Sequence, residues 1–340
     1  MQTQLLNADY PESIQTAAQI LKNGGLVGIP TETVYGLAAN ALNGKAVARI
    51  FAAKGRPMDN PLIVHISDIR QLDRLVKQIP QSAKKLAEQF WPGPLTMILP
   101  KSELIPDEVS AGLDTVAVRF PSHPVARALI DAAGLPLAAP SANLSGQPSP
   151  TTAMHVMHDL NGKIDAVLDG GPCGVGLEST VITLATHPPR LLRPGGITPE
   201  QLQGVLGAVE LDDAVLNPLA QGARAASPGM KYKHYSPKAN VIILKGSFEA
   251  YKSYVNSHNM EGMAALCYDG ENDQILVPAV CYGKKNDYSE QARELFDALR
   301  RLDDMKAKTV YARCPEPHGV GLAVYNRLIR AAGFEVLQLE

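Results

Sequence analysis

Cysteine is scarce: four in 340 residues, at positions 173, 267, 281 and 314. No two form CxxC, and none stands at zinc spacing from a histidine, so a zinc ribbon or a disulfide scaffold is excluded and a reduced chain with small apolar cysteines is expected. Aromatics are only 5% of residues and net charge is −2. With no RNP-like or KH-like motif either, there is no global case for nucleic-acid wrapping or membrane-surface binding. No apolar run reaches the ~18 residues of a membrane span. The opening MQTQLLNADYPES has no basic region leading into an apolar core, so no signal peptide and a cytoplasmic location are expected. GxGxxG, GK[ST] and GxSxG are missing, no cysteine nucleophile is suggested, and the loops discussed below lack acidic pairs at metal spacing.

What remains is an ordinary globular composition, 45% hydrophobic and 19% charged, in a chain long enough to favour two domains. Helical periodicity runs over 11–23, 44–53, 124–133, 151–160 and 198–206. Apolar strand segments fall at 26–30, 62–66, 95–99, 115–120, 135–139, 166–168, 179–184 and 190–192. Thr198 and Pro199 read as the cap and first position of a helix. The strands are apolar throughout rather than alternating, which predicts helices over much of the sheet. This α/β domain is expected over residues 1–208. A linker rich in Ala, Gly, Pro and Asn follows over 209–238. A fresh β/α alternation over 239–340 predicts a small Rossmann-like domain.

Charge is concentrated in loops. KGRPMDNP (54–61) sets Lys54 and Arg56 two residues apart, with Asn60 behind them, between a helix and the strand LIVHI. Its two prolines hold it out of both elements, and such a stiff cationic loop suits phosphates; a solvated loop is the alternative. PTETVYGL (30–37) sets Thr31, Thr33 and Tyr35 past a strand, as ligand groups or as turn hydroxyls. His65 lies mid-strand, as a satisfied core residue or a functional one. Thr115 and Arg119 share one strand face, and a buried Arg119 needs an anionic partner. APSANLSGQPSP (139–150) offers Ser141, Asn143, Ser145 and Ser149 to a phosphate or ribose, or is a polar turn. GGPCGVGLEST (170–180) is Gly-rich, LLRPGG places Arg193 after a short strand, and MKYKHYSP groups Lys231, Lys233, His234 and Tyr235. Jointly these loops suit a site that holds polyphosphate and carboxylate groups without a covalent protein intermediate.

PTETVYGL, KGRPMDNPLIVHI, WPGPLT, DTVAVRFP, APSANLSG, ESTV, LLRPG and PGMKYKHYSP occur in that order over residues 5–238. The set resembles the YrdC-like family in its long form with a C-terminal domain; the last stretch resembles it in layout only. The resemblance implies a twisted mixed open sheet with flanking helices, followed by the Rossmann-like domain. It also implies threonylcarbamoyl-AMP synthase activity, from L-threonine, bicarbonate and ATP with Mg²⁺, toward threonylcarbamoyladenosine beside the tRNA anticodon. Threonine contacts then fall on Thr33, His65, Arg119, the backbone at Ala139, and Ser179. ATP contacts fall on Arg56, Asn60, Thr115, Ser141, Asn143, Ser149, Arg193 and His234, with Lys54 and Arg56 stabilising charge around the triphosphate. His234 lies beyond the linker, which is then expected to fold back over the cleft. Metal ligands are not assigned, tRNA and a downstream threonylcarbamoyl transferase are the macromolecular partners implied, and no membrane is. An RNA-binding module without catalysis, with the same cations as an exposed patch, is the alternative from another class; a carbamoyl transferase acting on a protein is a further one.

Overall fold

A computed structural model describes residues 2–219, 227 and 235–340. They fall into two compact units. The first holds an 11-stranded mixed sheet. From one edge it runs β1 (Gln4–Asn7), β8 (Ala166–Asp169), β2 (Val27–Ile29), β3 (Gly36–Asn40), β7 (Leu137–Ala138), β4 (Ile63–His65), β6 (Thr115–Arg119), β5 (Leu95–Pro100), β9 (Thr180–Thr183), β10 (Arg190–Arg193) and β11 (Glu210–Leu211).

The strand pattern divides the core by face. Leu37, Ala39, Val64, Met97, Leu99, Val116, Val118, Val167 and Ile182 point to one side. There they pack under α2 (Gly44–Lys54), α3 (Leu72–Leu75), α4 (Gln81–Phe90), α5 (Asp107–Ser110), α7 (Ala153–Leu160) and α8 (Pro199–Leu206). The alternate residues Val27, Ile29, Ala38, Leu137, Ala166 and Leu168 point to the other side, under α1 (Pro11–Lys22) and α6 (Pro124–Ala133). That second face continues onto β4, β6, β5 and β9 as a small cluster of Ile63, Ala117, Ile98 and Val181 joined by Leu192 and Ala214. Apolar residues on both faces are the reason that the strands read as continuous apolar runs.

Capping follows the residues that favour it. Asn43 accepts from the Lys45 and Ala46 N–H groups at the start of α2, and Thr198 forms a capping box with Gln201 at the start of α8. Strands β1, β3 and β11 were not expected, and β11 with the buried Ala214 carries the first unit past residue 208 into the stretch read as linker. β1 is an exposed edge strand without alternation, and GLAAN is a poor β sequence that burial on both faces overrides.

The second unit is a five-stranded, all-parallel sheet in the order β14 (Ala279–Cys281), β13 (Met263–Cys267), β15 (Thr309–Arg313), β12 (Asn240–Lys245), β16 (Val336–Gln338). Its helices are α9 (Phe248–Ser257), α10 (Tyr288–Asp304) and α11 (Gly321–Ala331). The β/α alternation thus gives the Rossmann-like layout expected. No helix among the described residues is long and apolar enough to cross a membrane.

Candidate active site

Register brings the polar strand residues together. His65 on β4 pairs with Arg119 on β6, Arg119 with Thr96 on β5, Thr96 with Val181 on β9, and Val181 with Arg193 on β10. These five residues form one row across the second face, about 19 Å long at about 4.8 Å per strand. Arg193 joins it only because β10 carries a bulge: Leu191 pairs with Ile182, Arg193 with Val181, and Leu192 is the extra residue between them. In regular pairing Leu192 would stand opposite Val181 and Arg193 would turn to the face under the helices.

The row is tied together from above. Arg193 donates from Nε to the Ser179 carbonyl at 3.0 Å and from Nη2 to the Ser179 hydroxyl at 3.2 Å. That hydroxyl lies 2.7 Å from the Thr96 hydroxyl. The turn after Arg193 presses on the same segment: a Cβ on Gly195 would stand 2.4 Å from the Thr180 nitrogen and 2.7 Å from the Glu178 carbonyl. Only glycine permits this approach.

Arg119 is 3% exposed. Its Nη1 donates to the Thr33 hydroxyl at 2.8 Å, and Nη2 lies 2.8 Å from the Glu32 carboxylate. Thr31 donates to the Val34 carbonyl, so in the 2.8 Å contact between the two threonine hydroxyls Thr33 is the donor. Thr33 Oγ1 therefore gives its proton to Thr31, accepts from Arg119, and keeps one lone pair for a ligand. Burial is the largest influence on Glu32 and opposes its ionisation, but the Arg119 guanidinium together with the Glu32 and Ser122 backbone N–H groups holds the carboxyl below its usual range.

His65 is buried, and burial together with the Arg119 charge lowers its pKa to about 3. Its Nδ1 lies 3.2 Å from the Ile63 carbonyl. A carbonyl only accepts, so Nδ1 carries the proton and Nε2 keeps a lone pair.

A second set of groups lies at the other end of β4 and β6. Continuing the β4–β6 register sets Thr115 level with Pro61, and Ser141 bridges to Gly36 beside β7. Thr115 is four residues from Arg119, about 13 Å along the strand. Asn60 is buried at this end and its Oδ1 has no hydrogen-bond partner, an acceptor left open. Arg56 reaches it through the Asn60 carbonyl at 3.4 Å and lies over the Phe51 ring. Gly55 allows this loop, closing α2 in the left-handed region at φ 61°. Lys54 is the last residue of α2 and is 2% exposed. Its ammonium donates to the Ser141 and Asn143 carbonyls, both at 2.5 Å, and burial pushes its pKa well down. It ties down the 141–143 loop.

Ser149 is fully buried and donates to Glu178 at 2.5 Å. The Ala139 N–H goes to the Ile63 carbonyl, so only its carbonyl is left for a ligand. His234 lies outside the described residues, as do Lys231 and Lys233. Tyr35 is structural, donating to the Gly171 carbonyl from a buried ring. Sequence reasoning passed over Thr96, Glu32 and Glu178. The two acids stood inside the quoted PTET and ESTV segments, and the rule that a buried cation needs an anionic partner pointed to them. Lys54, Arg119 and Arg193 are buried, so these three do not make the exposed patch that an RNA-binding module requires.

Comparison with known proteins identifies the family. The family model Sua5_yciO_yrdC, described as telomere recombination, matches residues 19–195, and one described as Threonylcarbamoyl-AMP synthase, C-terminal domain, matches residues 197–333. A threonylcarbamoyl-AMP synthase of Bacillus subtilis is 47% identical, covering 99% of this chain and 97% of its own. One from Pyrococcus abyssi is 46% identical, covering 96% of each. The crystal structure of P. abyssi Sua5 complexed with L-threonine superposes with a TM-score of 0.91 at 44% identity over the whole of both chains. The chain belongs to the Sua5–YciO–YrdC family, in the long form that carries the C-terminal domain.

Proposed function

We propose that this protein is a threonylcarbamoyl-AMP synthase. It joins L-threonine, bicarbonate and ATP into threonylcarbamoyl-AMP, pyrophosphate and water. The threonine ammonium gives up one proton to solvent, its nitrogen bonds to the carbon of bicarbonate with loss of water, and the resulting N-carboxylate oxygen attacks the α-phosphorus of ATP as pyrophosphate leaves. The observation that supports this reading is the buried row of His65, Arg119, Thr96 and Arg193 on one sheet face, with Thr115 on the same face about 13 Å along β6 from Arg119. In this reading the amino acid takes the Arg119 end and the nucleotide the Thr115 end.

In this reading Arg119, Thr33, His65, Ser179 and the Ala139 carbonyl take the threonine. Arg119 offers a guanidinium fork to its carboxylate, and the neutral His65 offers Nε2 as an acceptor. Asn60, Thr115, Ser141, Asn143, Arg56 and Arg193 take the nucleotide. Lys54 holds the loop of Ser141 and Asn143 in place, and Ser149, donating to Glu178, meets ATP as an acceptor for a ribose hydroxyl or the adenine amine. Arg56 and Arg193 supply positive charge as it builds on the phosphates. The described residues contain no group of three or more metal-ligating side chains, so they offer Mg²⁺ no cage. The ion would arrive on the triphosphate, and none of these assignments depends on it.

The product is a mixed anhydride, so a downstream threonylcarbamoyl transferase acting on a tRNA adenosine is its expected consumer, in the cytoplasm. Incubation with ATP, Mg²⁺ and bicarbonate should release pyrophosphate only when L-threonine is added. Release that is indifferent to threonine refutes the reading.

A further inference from the structure

We propose that Glu32 is the second pole of the amino-acid clamp: its carboxylate receives the substrate ammonium while Arg119 receives the substrate carboxylate. The inference rests on the synthase reading and adds to it a residue that binds the amine.

The argument begins with what the pair lacks. Glu32 Oε1 and Arg119 Nη2 stand 2.8 Å apart, an ion pair by distance. The Glu32 and Ser122 backbone N–H groups face the carboxylate, yet neither Glu32 oxygen, nor Arg119 Nη2, completes an aligned hydrogen bond, and all three atoms are buried. A buried ion pair with open hydrogen-bonding positions is costly to keep. A ligand that fills those positions would repay the folding energy lost there.

The geometry selects that ligand. An α-amino acid carries an anion and a cation on one carbon, so its complement must be a cation and an anion side by side. Arg119 and Glu32 are so placed, and burial lowers the pKa of the neighbouring His123 against the pull of the Glu32 charge. His65 is neutral, and Thr33 Oγ1 is committed to Thr31 and Arg119 save for one lone pair. A plain carboxylate would satisfy Arg119 and be repelled by Glu32; an amine alone would do the reverse. Only the zwitterion answers both. The carboxyl of Glu32 is held ionised by Arg119 and the two backbone N–H groups after burial is overcome, so it keeps its charge for the ammonium and does not retain a proton from it. Glu32 is thus a binding residue for the amine.

The test compares two probes on the full-length protein by calorimetry: L-threonine and its des-amino analogue, (R)-3-hydroxybutanoate. The wild type should prefer threonine by about 10-fold or more. Glu32→Gln should weaken threonine about 10- to 100-fold, the scale for a lost hydrogen bond to a charged group. It should leave the analogue nearly unchanged or improved, so that the preference collapses. Glu32→Asp keeps the charge and should keep the preference even if affinity drops; it carries the test if the Gln variant does not fold. Equal losses for both ligands would overturn the proposal, because Glu32 would then act only by steering Arg119. A wild type that binds threonine but does not prefer it overturns the proposal while leaving the synthase reading intact. A wild type that binds neither ligand defeats both.

Discussion

Titrated from pH 8 down to about 4.5 and followed by imidazole resonances, His65 should be a ring that does not move. Its pKa is lowered from 6.5 to about 3, first by burial and second by the neighbouring Arg119 charge. The folded state therefore excludes a proton that the unfolded chain accepts. The stability tied to the neutral ring is complete above about pH 6.5 and is lost as the pH falls toward 3, because the unfolded chain binds the proton first. At 1.36 kcal/mol per pH unit, the loss from this one group is about 2 kcal/mol at pH 5. The direct assay is two-dimensional NMR on protein with labelled histidine, with His65→Gln to assign the signal. Because the chain forms two compact units, global unfolding need not be two-state, and the resonance is the cleaner reading. A comparison of acid sensitivity adds a second one: His65→Gln should lose about 2 kcal/mol less than wild type between pH 7.5 and 5. A His65 signal with a midpoint between pH 5 and 7 would refute both the burial argument and the neutral Nε2 acceptor offered to threonine.

Asn60→Ala should barely change thermal stability, since the lost Oδ1 has no partner. It should weaken ATP binding about 10-fold by calorimetry, whereas a large fall in melting temperature would show Asn60 to be structural. Lys54→Met should release the Ser141–Asn143 loop at about 1.5–3 kcal/mol, seen as faster amide exchange at Ser145, whose N–H donates to the Lys54 carbonyl; unchanged protection would refute the tie. Arg56→Ala should lower kcat/KM for pyrophosphate release by about 2–4 kcal/mol of transition-state stabilisation, with little change in melting temperature, and near-normal turnover would remove its assigned role.

Much of the fold was legible because the strong signals were local. Periodic helices, apolar strands and the Thr198 cap needed only short windows of sequence. The row of His65, Arg119, Thr96 and Arg193 was not legible as a row, because it exists only through pairing between strands far apart in the chain. The β10 bulge that re-aims Arg193 leaves no mark in LLRPG. Arg119 was expected to need an anionic partner if buried, but the partner was sought among ligands. Glu32 supplies it from within the PTET turn. Lys54 was read as a triphosphate contact because a cation in a loop suggests phosphate. As the last residue of α2 its chain runs inward to two carbonyls, a tie that the loop pattern did not reveal.

Two buried carboxylates sit among the cations of a site meant for anions, and this has a measurable consequence. Glu32 faces Arg119, and Glu178 precedes the Ser179 that Arg193 grips. At the end proposed for threonine the Arg119 charge is therefore already balanced by Glu32 before substrate arrives, as a buried guanidinium requires. Threonine is itself a zwitterion without net charge, so its entry exchanges one neutral set for another. Its affinity should be insensitive to ionic strength. ATP brings net negative charge to the Arg56 end, where the guanidinium is half-buried, and its affinity should fall as salt screens that attraction. Calorimetry of each ligand between about 50 and 300 mM NaCl separates the two ends. A threonine affinity that drops more than about twofold over that range would mean that an uncompensated cation governs its binding, and the balanced-pair description of Glu32 and Arg119 would be wrong.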